Sequence, residues 1–226
     1  MKYVVVTTHC HYDHILGVED FNDSVILASA HSKAFLSHSK IPEHSLCNAL
    51  HIQTPQYTPK LVPHGYTITS PAYPHTPLNI TILHTPGHTP DELALYDADE
   101  MMLYVGDSLY EYEPIIFPNE GSVVTWFESV DYLMAFVAEK NEKFRMKDGL
   151  QAREVLINAG HRTASRPAME VLANSRAFMD DVIKGKEPVK GRLKVRGEEN
   201  LVYEQSGGMF SLRCPEGLIA EARRKI

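Results

Sequence analysis

The pattern of apolar and polar residues along the chain predicts alternating strands and helices. β-Branched residues dominate residues 2–8, and residues 25–28 are a short apolar run, so both segments are predicted to be strands. Ile80 and Ile82 alternate with Thr81, and two short apolar runs at residues 93–96 and 101–105 flank a turn. Together these three segments predict a β-meander. The first half of the chain is therefore expected to be rich in sheet.

Helical periodicity is clearest in the second half of the chain. Apolar residues repeat every three to four positions between residues 126 and 137, and Thr125 with Glu128 has the spacing of a capping box that opens this helix. A second amphipathic helix is predicted over residues 167–185, directly after a buried strand at residues 155–157. The alternation of strand and helix favours an α/β fold.

Two other segments carry weaker patterns. Residues 29–39 predict a short helix, because Ala30, Ala34 and Phe35 lie on one side of it. Between Gln53 and Pro77, six of the 14 prolines exclude a long helix and predict loops or edge strands. Neither a repeat nor a linker interrupts the chain, so we expect residues 1–226 to form a single domain.

Composition and charge narrow the class of protein. With 43% hydrophobic and 23% charged residues, the 226-residue chain has a globular composition. Its apolar runs fall far short of the roughly 18 residues that a membrane helix needs, and the run after Met1 is too short for a signal peptide. The net charge of −7 would repel a phosphate backbone. We expect a soluble protein that binds neither nucleic acid nor membranes.

Cysteines and histidines are distributed unevenly. Cys10, Cys47 and Cys214 are too few and too far apart for a disulfide framework or a Cys-x-x-Cys metal site, which suits a reducing, cytoplasmic compartment. Eleven of the 12 histidines lie in the first 88 residues. Beyond His88, His161 is the only histidine that the remaining chain can offer to a site.

The segment after the first predicted strand concentrates groups that bind metals. It contains His9, His11, Asp13 and His14 within six residues. Side chains two positions apart in an extended backbone point to the same side, so His9 and His11 can converge on one metal. Asp13 and His14 lie where the chain turns into a helix and can face a second metal a few ångströms away.

Together with three later segments, this motif resembles the signature of the metallo-β-lactamase superfamily of hydrolases. That signature is His-x-His-x-Asp-His after a strand, followed at a distance by His, Asp and His. Thr85–Thr89 resembles the second motif, Gly106–Asp107 the third and Gly160–His161 the fourth, in the family's order. The resemblance extends from about Tyr3 to about Met169.

The resemblance implies two divalent metal ions, with zinc as the first expectation and manganese or iron as alternatives. Three histidines would bind one ion, an aspartate and two histidines the other, and a further aspartate would bridge both: His9, His11 and His88; Asp13, His14 and His161; and Asp107. Two metals about 3.5–4 Å apart can hold a shared hydroxide and polarise a carbonyl or phosphoryl oxygen. Asp13 could also orient that nucleophile or pass its proton to the leaving group.

Three positions narrow the reaction that the resemblance implies. His11 stands where flavodiiron relatives have Glu, and Asp107 stands where one large group of β-lactamases has Cys. Lactonases, thioesterases and phosphodiesterases are therefore favoured. Tyr110, three residues after Asp107, resembles the lactonase branch, in which a tyrosine hydroxyl contacts the substrate ester, although a packing role remains an alternative. We expect Asp13 and Tyr110 to be catalytic and the substrate to be a carboxylic ester, lactone before acyl thioester.

Two other functions remain open. One is a phosphodiesterase or nuclease of the same fold, and the other is a metal-binding remnant without turnover. Under the preferred hypothesis of an ester hydrolase, the partner is a small-molecule substrate. We expect Phe117 and the segment from Gln53 to Pro77 to form the walls of its pocket.

The fold that the resemblance implies is an αββα sandwich of two mixed sheets with helices outside. Relatives usually have several dozen residues before the motif strand, whereas this chain begins two residues before it. We therefore expect the outer N-terminal strands of the first sheet to be lacking. The uncovered sheet edge would then need a cover, which a homo-oligomer could provide.

Overall fold

The computed structural model describes residues 3–73, 75–148 and 153–226. Its strands are β1 (Val4–Val6), β2 (Val25–Ser29), β3 (Lys60–Val62), β4 (Thr67–Thr69), β5 (Pro77–His84), β6 (Leu93–Asp97), β7 (Met102–Tyr104), β8 (Pro114–Ile116), β9 (Leu156–Asn158), β10 (Arg166–Pro167), β11 (Gly191–Val195), β12 (Glu198–Glu204) and β13 (Ser211–Pro215). Its helices are α1 (Tyr12–Ile15), α2 (Ile41–His44), α3 (Cys47–Leu50), α4 (Val123–Asp148), α5 (Ala168–Ile183) and α6 (Glu216–Lys225), with a 3₁₀ turn at Val18–Phe21. None of these helices in the described part of the chain is both long and apolar enough to cross a membrane.

The strands of the described ranges form three sheets. β1, β2 and β3 make a parallel sheet with β2 in the middle. The central sheet has the strand order β10-β9-β7-β6-β5-β4, and the third sheet has the order β11-β12-β13-β8. β5, β6 and β7 are antiparallel neighbours, which confirms the predicted meander. β7 and β9 are parallel, so both end at the same edge of the central sheet.

The first and central sheets pack face to face. Leu27 of β2, Val62 of β3 and Ile82 of β5 are buried in one apolar cluster between them. Ile26 and Ala28, the neighbours of Leu27, point to the opposite face and are buried under short helices and turns. This division follows from the two-residue period of a strand, which sends successive side chains to opposite faces.

The other face of the central sheet carries the long helices. Leu83 of β5 and Leu103 of β7 share a cluster with Val130 of α4 and Leu172 of α5. Ile219 of α6 belongs to the same cluster and joins the third sheet to this core. The succession of helix, sheet, sheet and helix is the αββα sandwich that the resemblance implies.

Residues 29–39 do not form the predicted helix. β2 ends at Ser29 and a series of turns follows. The Ser29 hydroxyl accepts a hydrogen bond from the backbone N–H of His31 at 3.1 Å, and such side-chain bonds compete with a helical ladder. The apolar spacing that predicted the helix instead buries Phe35 and Leu36 against the outer face of the first sheet.

The start of α4 also differs from the prediction. The helix begins at Val123, and the Ser122 hydroxyl accepts a hydrogen bond from the backbone N–H of Thr125 at 3.2 Å. Ser122 is therefore the N-cap residue, and Thr125 lies within the first turn. The prediction that Thr125 and Glu128 form a capping box is wrong, whereas the predicted helix itself is confirmed.

Candidate metal centre

Five of the seven predicted ligands lie in loops that follow strands, and the other two lie in the short helix α1. His9 and His11 follow β1, and the first turn of α1 carries the next two ligands. His88 follows β5, Asp107 follows β7, and His161 follows β9. Because β7 and β9 are parallel neighbours, their ends bring Asp107 and His161 side by side, so the topology itself assembles residues that are far apart in sequence.

The first group consists of three buried histidines. Nε2 of His9 and Nε2 of His88 each lie 3.0 Å from Nδ1 of His11. Nδ1 of His88 lies 2.7 Å from the carbonyl oxygen of Ile116, which can only accept a hydrogen bond. His88 therefore donates from Nδ1, and in the neutral ring its Nε2 carries a free lone pair directed at the other two rings.

Burial keeps these three imidazoles neutral. It lowers the pKa of His11 to about 4 and the pKa of His88 to about 3, with a further lowering of the pKa of His88 by nearby His11. Burial and the neighbouring histidines also hold the pKa of His9 well below its usual value. Neutral imidazole is the form that binds metals, and three ring nitrogens that converge at this distance fit a cation between them.

The second group combines two histidines with two aspartates. Oδ1 of Asp107 lies 3.1 Å from Nε2 of His14, and Oδ2 lies 3.2 Å from Nε2 of His161. Oδ2 of Asp13 lies 3.6 Å from Nε2 of His161 and 3.9 Å from Nε2 of His14. Within each group, the candidate ligand atoms lie within 4.8 Å of one another.

The charge balance of the second group also fits a cation. Burial alone would raise the pKa of Asp107, but the hydrogen bond and charge of His14, together with His88 and His161, lower it overall. The carboxylate is therefore ionised. A set of carboxylate and imidazole donors suits zinc and also manganese or iron.

The two groups adjoin each other. The ring centroids of His9 and His14, one from each group, lie 4.1 Å apart. The geometry places Asp107 with the second group, and its bridging of two metals stays a prediction. Seven side chains thus form two neighbouring sets of the size and chemistry that two divalent ions require.

Three of the ligands follow glycines whose positions have no room for a side chain. A Cβ at Gly160 would lie 2.4 Å from Oδ1 of Asp107, and one at Gly106 would lie 2.7 Å from Oε1 of Glu92. A Cβ at Gly87 would lie 2.6 Å from the backbone of α4. The backbone N–H of Gly160 donates to the carbonyl of Gly106 at 2.9 Å, which joins two of these loops. Close approach of loops explains why glycine precedes each ligand.

Sequence reasoning missed two polar residues that lie against the ligands. Oγ1 of Thr8 is 3.2 Å from Nδ1 of His9 and 3.2 Å from Nδ1 of His14, so one hydroxyl contacts both groups. Glu92 is fully buried, and burial raises its pKa well above the usual value, with a further contribution from Asp107. The sequence features that could have identified them are the position of Thr8 directly before the histidine motif and the position of Glu92 directly before an apolar strand.

A cavity of about 510 Å³ opens onto both groups. Tyr110 is buried in its wall, with its ring perpendicular to that of His161 and the centroids 5.3 Å apart. Burial and the charge of Asp107 raise the pKa of Tyr110, so its hydroxyl stays protonated. Phe117 lines the cavity, as predicted.

The prediction that the segment from Gln53 to Pro77 forms a wall of the pocket is wrong. No described residue between Gln53 and Pro77 lines the cavity, and Leu46, Ala49 and Leu50 around α3 line it instead. The proline-rich segment supplies β3 and β4, which are paired into the first and central sheets. Pairing into the sheets holds this segment away from the strand ends where the ligands lie.

Comparisons with solved structures bear out the fold. The chain is similar to the metallo-beta-lactamase family protein TTHA1429 from Thermus thermophilus, at 18% identity and a TM-score of 0.57, with 84% of this chain and 64% of that chain covered. It is also similar to TTHA1623 in a di-iron-bound form, at 17% identity and a TM-score of 0.53, with 74% of this chain and 73% of that chain covered. At these identities the likeness concerns the fold alone.

A curated relative and a family model add to this. The relative, avaE of Aspergillus versicolor, carries a name that proposes a transcription factor; it is 28% identical over 236 residues, which cover 99% of this chain and 66% of the relative. The chain thus spans about two thirds of that relative's length. A model described as the Metallo-beta-lactamase superfamily matches residues 3–141, which is more than half of the chain and includes six of the seven predicted ligands. The chain belongs to the metallo-beta-lactamase superfamily.

Proposed function

We propose that the chain is a two-metal hydrolase that cleaves a carboxylic ester, with lactones preferred over acyl thioesters. The observation that carries this proposal is the adjacency of two ligand groups at one cavity. Its volume of about 510 Å³ lies in the range typical of small-molecule sites, roughly 300–1,000 Å³.

The two groups offer different donors to the two proposed metal ions. His9, His11 and His88 offer three neutral imidazoles, whereas the second group adds carboxylates. We propose zinc in both, with Asp107 bridging. When bound, a pair of divalent ions polarises a carbonyl oxygen and makes a water molecule acidic enough to react near neutral pH.

Asp13 is the proposed proton acceptor. Its carboxylate lines the cavity and lies next to His161, with about a third of the side chain exposed. A carboxylate in this place can accept a proton from the attacking water and deliver it to the leaving group. This role needs an open path to the substrate, which the partial exposure provides.

Tyr110 is the proposed hydrogen-bond donor to the substrate. Its buried ring lines the same cavity and contacts His161 of the second group. Because a phenol O–H held in a buried position does not have to reorganise, it can stabilise the carbonyl oxygen as that oxygen gains charge. The position therefore supports an oxyanion-stabilising role.

The cavity favours an ester over a phosphodiester. Much of its wall is apolar, and the apolar residues include Leu46, Ala49, Leu50, Ile116 and Phe117. With a net charge of −7 on the whole chain, a polyanionic backbone would meet repulsion. A small ester with apolar groups meets no such cost.

The name of the Aspergillus versicolor relative suggests a second candidate, a metal-binding protein that regulates transcription without turnover. About a third of that relative lies outside the match, so its name can rest on a part that this chain does not share. The same acidic charge argues against direct contact with DNA. Hydrolysis is the better-supported proposal.

Activity on a substrate panel tests the proposal. Zinc-loaded protein is assayed with lactones, acyl thioesters and phosphodiesters at equal metal content. We expect turnover of lactones first and thioesters second. Phosphodiesters that are cleaved faster than every ester would establish the phosphodiesterase alternative, and two bound metals without any turnover would establish the non-catalytic one.

A further inference from the structure

One guanidinium in the cavity wall has no partner. Arg213 of β13 lines the cavity, and its buried Nε has no hydrogen bond. Across residues 3–73, 75–148 and 153–226, Arg213 forms no side-chain hydrogen bond or ion pair. The other arginine of the cavity differs, because Arg196 donates to both carboxylate oxygens of Glu120, at 2.7 and 2.9 Å. A buried N–H without an acceptor is costly, which marks Arg213 as the group that a ligand would satisfy.

The strand register places Arg213 beside the metal-binding groups. Arg213 is paired with Ile116 of the parallel neighbour β8, and the carbonyl of Ile116 accepts the hydrogen bond of His88. Neighbouring strands lie about 4.8 Å apart. The carbonyl that binds His88 and the guanidinium of Arg213 therefore lie on the same wall of the cavity. Leu212 is fully buried in the core, and the alternation along β13 therefore sends Arg213 to the opposite, cavity side.

The other residues of the cavity wall indicate the chemical character of the rest of the ligand. Ile116, Phe117, Leu46 and Leu50 are apolar and line the same cavity. A complementary ligand has an apolar body between a group that reacts at the metal centre and an anionic end that reaches Arg213.

We propose that Arg213 binds a carboxylate of the substrate, remote from the ester that is cleaved. The substrate class is then an apolar ester, lactone or thioester with one free carboxylate. This assignment rests on the proposed hydrolase function and adds the substrate's charge to it. Arg213 is a specificity-determining residue in this account.

The surroundings of Arg213 favour a carboxylate over a phosphate group. The planar guanidinium matches a carboxylate with two parallel hydrogen bonds. A dianionic phosphate would need a second cation, but Arg196, the other arginine that lines the cavity, is already neutralised by Glu120. One unpaired guanidinium balances one carboxylate.

A matched pair of substrates tests the assignment. Zinc-loaded protein is assayed with the 4-nitrophenyl half-ester of adipic acid, which has a free carboxylate, and with the same compound capped as a methyl ester. For Arg213→Gln, we expect kcat/KM on the half-ester to fall by about 10-fold to 100-fold, mainly through KM, because a charged hydrogen-bond pair is lost. Activity on the capped compound should change little. Arg213→Lys should retain part of the preference for the half-ester, because lysine keeps the positive charge but lacks the planar guanidinium that forms two parallel hydrogen bonds.

Arg192→Gln is the control variant. Arg192 lies in β11, two strands away from β13 in the third sheet, exposes about half of its side chain and pairs with Glu216 outside the cavity. It should leave both substrates unaffected. Equal losses on both substrates in Arg213→Gln would indicate a structural role and overturn the assignment, as would an unchanged half-ester activity. A half-ester ended by a phosphonate that depends more strongly on Arg213 would overturn the choice of carboxylate.

Binding separates this inference from the proposed function. If wild-type protein cleaves neither ester and no substrate of the panel, the hydrolase proposal fails, and calorimetry with N-butyl adipamic acid and its methyl ester decides the role of Arg213. Tighter binding of the free acid in wild type but not in Arg213→Gln would support carboxylate recognition. Equal binding of the acid by both proteins would refute it.

Discussion

Single hydrogen-bonding groups orient three of the ligand histidines without a metal. Nδ1 of His88 is held by the carbonyl of Ile116, and Nδ1 of both His9 and His14 contacts the hydroxyl of Thr8. In each ring one nitrogen is occupied and the other is left for a metal. Such outer contacts fix the ring orientation and contribute to metal affinity.

The glycine before the last ligand gives the first prediction. In Gly160→Ala the added methyl would lie 2.4 Å from Oδ1 of Asp107, so the carboxylate must move. We expect zinc affinity to fall by about 10-fold to 100-fold, as for other changes that disturb ligand orientation. A competition titration with a chromogenic chelator measures this. Gly217→Ala in α6 is the control because a Cβ there has no atom within 4 Å, and equal affinities in both variants would contradict the account.

Tyr110 gives the second prediction. Tyr110→Phe keeps the ring against His161 but removes the hydroxyl, so kcat on a lactone should fall by about 10-fold to 10³-fold, as for other oxyanion donors. Metal content should stay at the wild-type value. Tyr112→Phe provides the control, because Tyr112 is 60% exposed and its backbone belongs to the same loop. Unchanged turnover in Tyr110→Phe would leave Tyr110 a packing residue.

Among the elements, those with long or repeated patterns were predictable. α4, α5 and the meander of β5, β6 and β7 follow from periods that persist over many residues. Residues 29–39 were not predictable in this way, because a few apolar positions match a helix by spacing alone while the Ser29 hydroxyl accepts a backbone hydrogen bond. Short segments are decided by such local bonds and by tertiary contacts.

The same contrast holds for the site. His9, His11 and the later ligands belong to motifs at strand ends, and adjacent strands bring motifs together. Thr8 and Arg213 belong to no motif. Only the fold places Thr8 against the histidine rings and Arg213 in the wall of the cavity. Sequence therefore predicts the metal-binding groups, whereas the residues that orient ligands or recognise substrate require the structure.

The start of α4 gives the third prediction. Since the Ser122 hydroxyl accepts the N–H of Thr125, Ser122→Ala should lower the free energy of unfolding by about 0.5–2 kcal/mol. Thr125→Ala should have a smaller effect, because that hydroxyl is not the cap. Urea denaturation of both variants and wild type at equal metal content measures the difference. A larger loss in Thr125→Ala would favour the capping box over the cap seen in the structure.

At the scale of the whole molecule, the first sheet has an open edge at β1 within the described ranges. In the described ranges β1 pairs only with β2. The carbonyl of Tyr3 and the N–H of Thr7 bond to residues of the β2 segment, so by the two-residue period the N–H groups of Val4 and Val6 point to the open side. Unpaired groups of this kind are a template for another strand.

This edge gives the fourth prediction, that the chain self-associates through β1. Sedimentation velocity over a range of concentrations should show a dimer that dissociates on dilution. Val6→Pro removes one N–H from the open side, so it should shift the protein toward monomer while β1 stays paired with β2. A wild-type chain that is monomeric at every concentration would contradict this prediction and leave the metal site unaffected.

The central claim is that two adjoining groups of side chains hold two divalent metal ions. Metal content per chain tests it most directly, by inductively coupled plasma mass spectrometry of zinc-loaded and desalted protein. Seven ligands in two groups predict about two zinc ions per chain, and Asp107→Ala should lower the content toward about one, because its carboxylate lies between His14 and His161. A wild-type chain that retains no metal after loading would contradict the account.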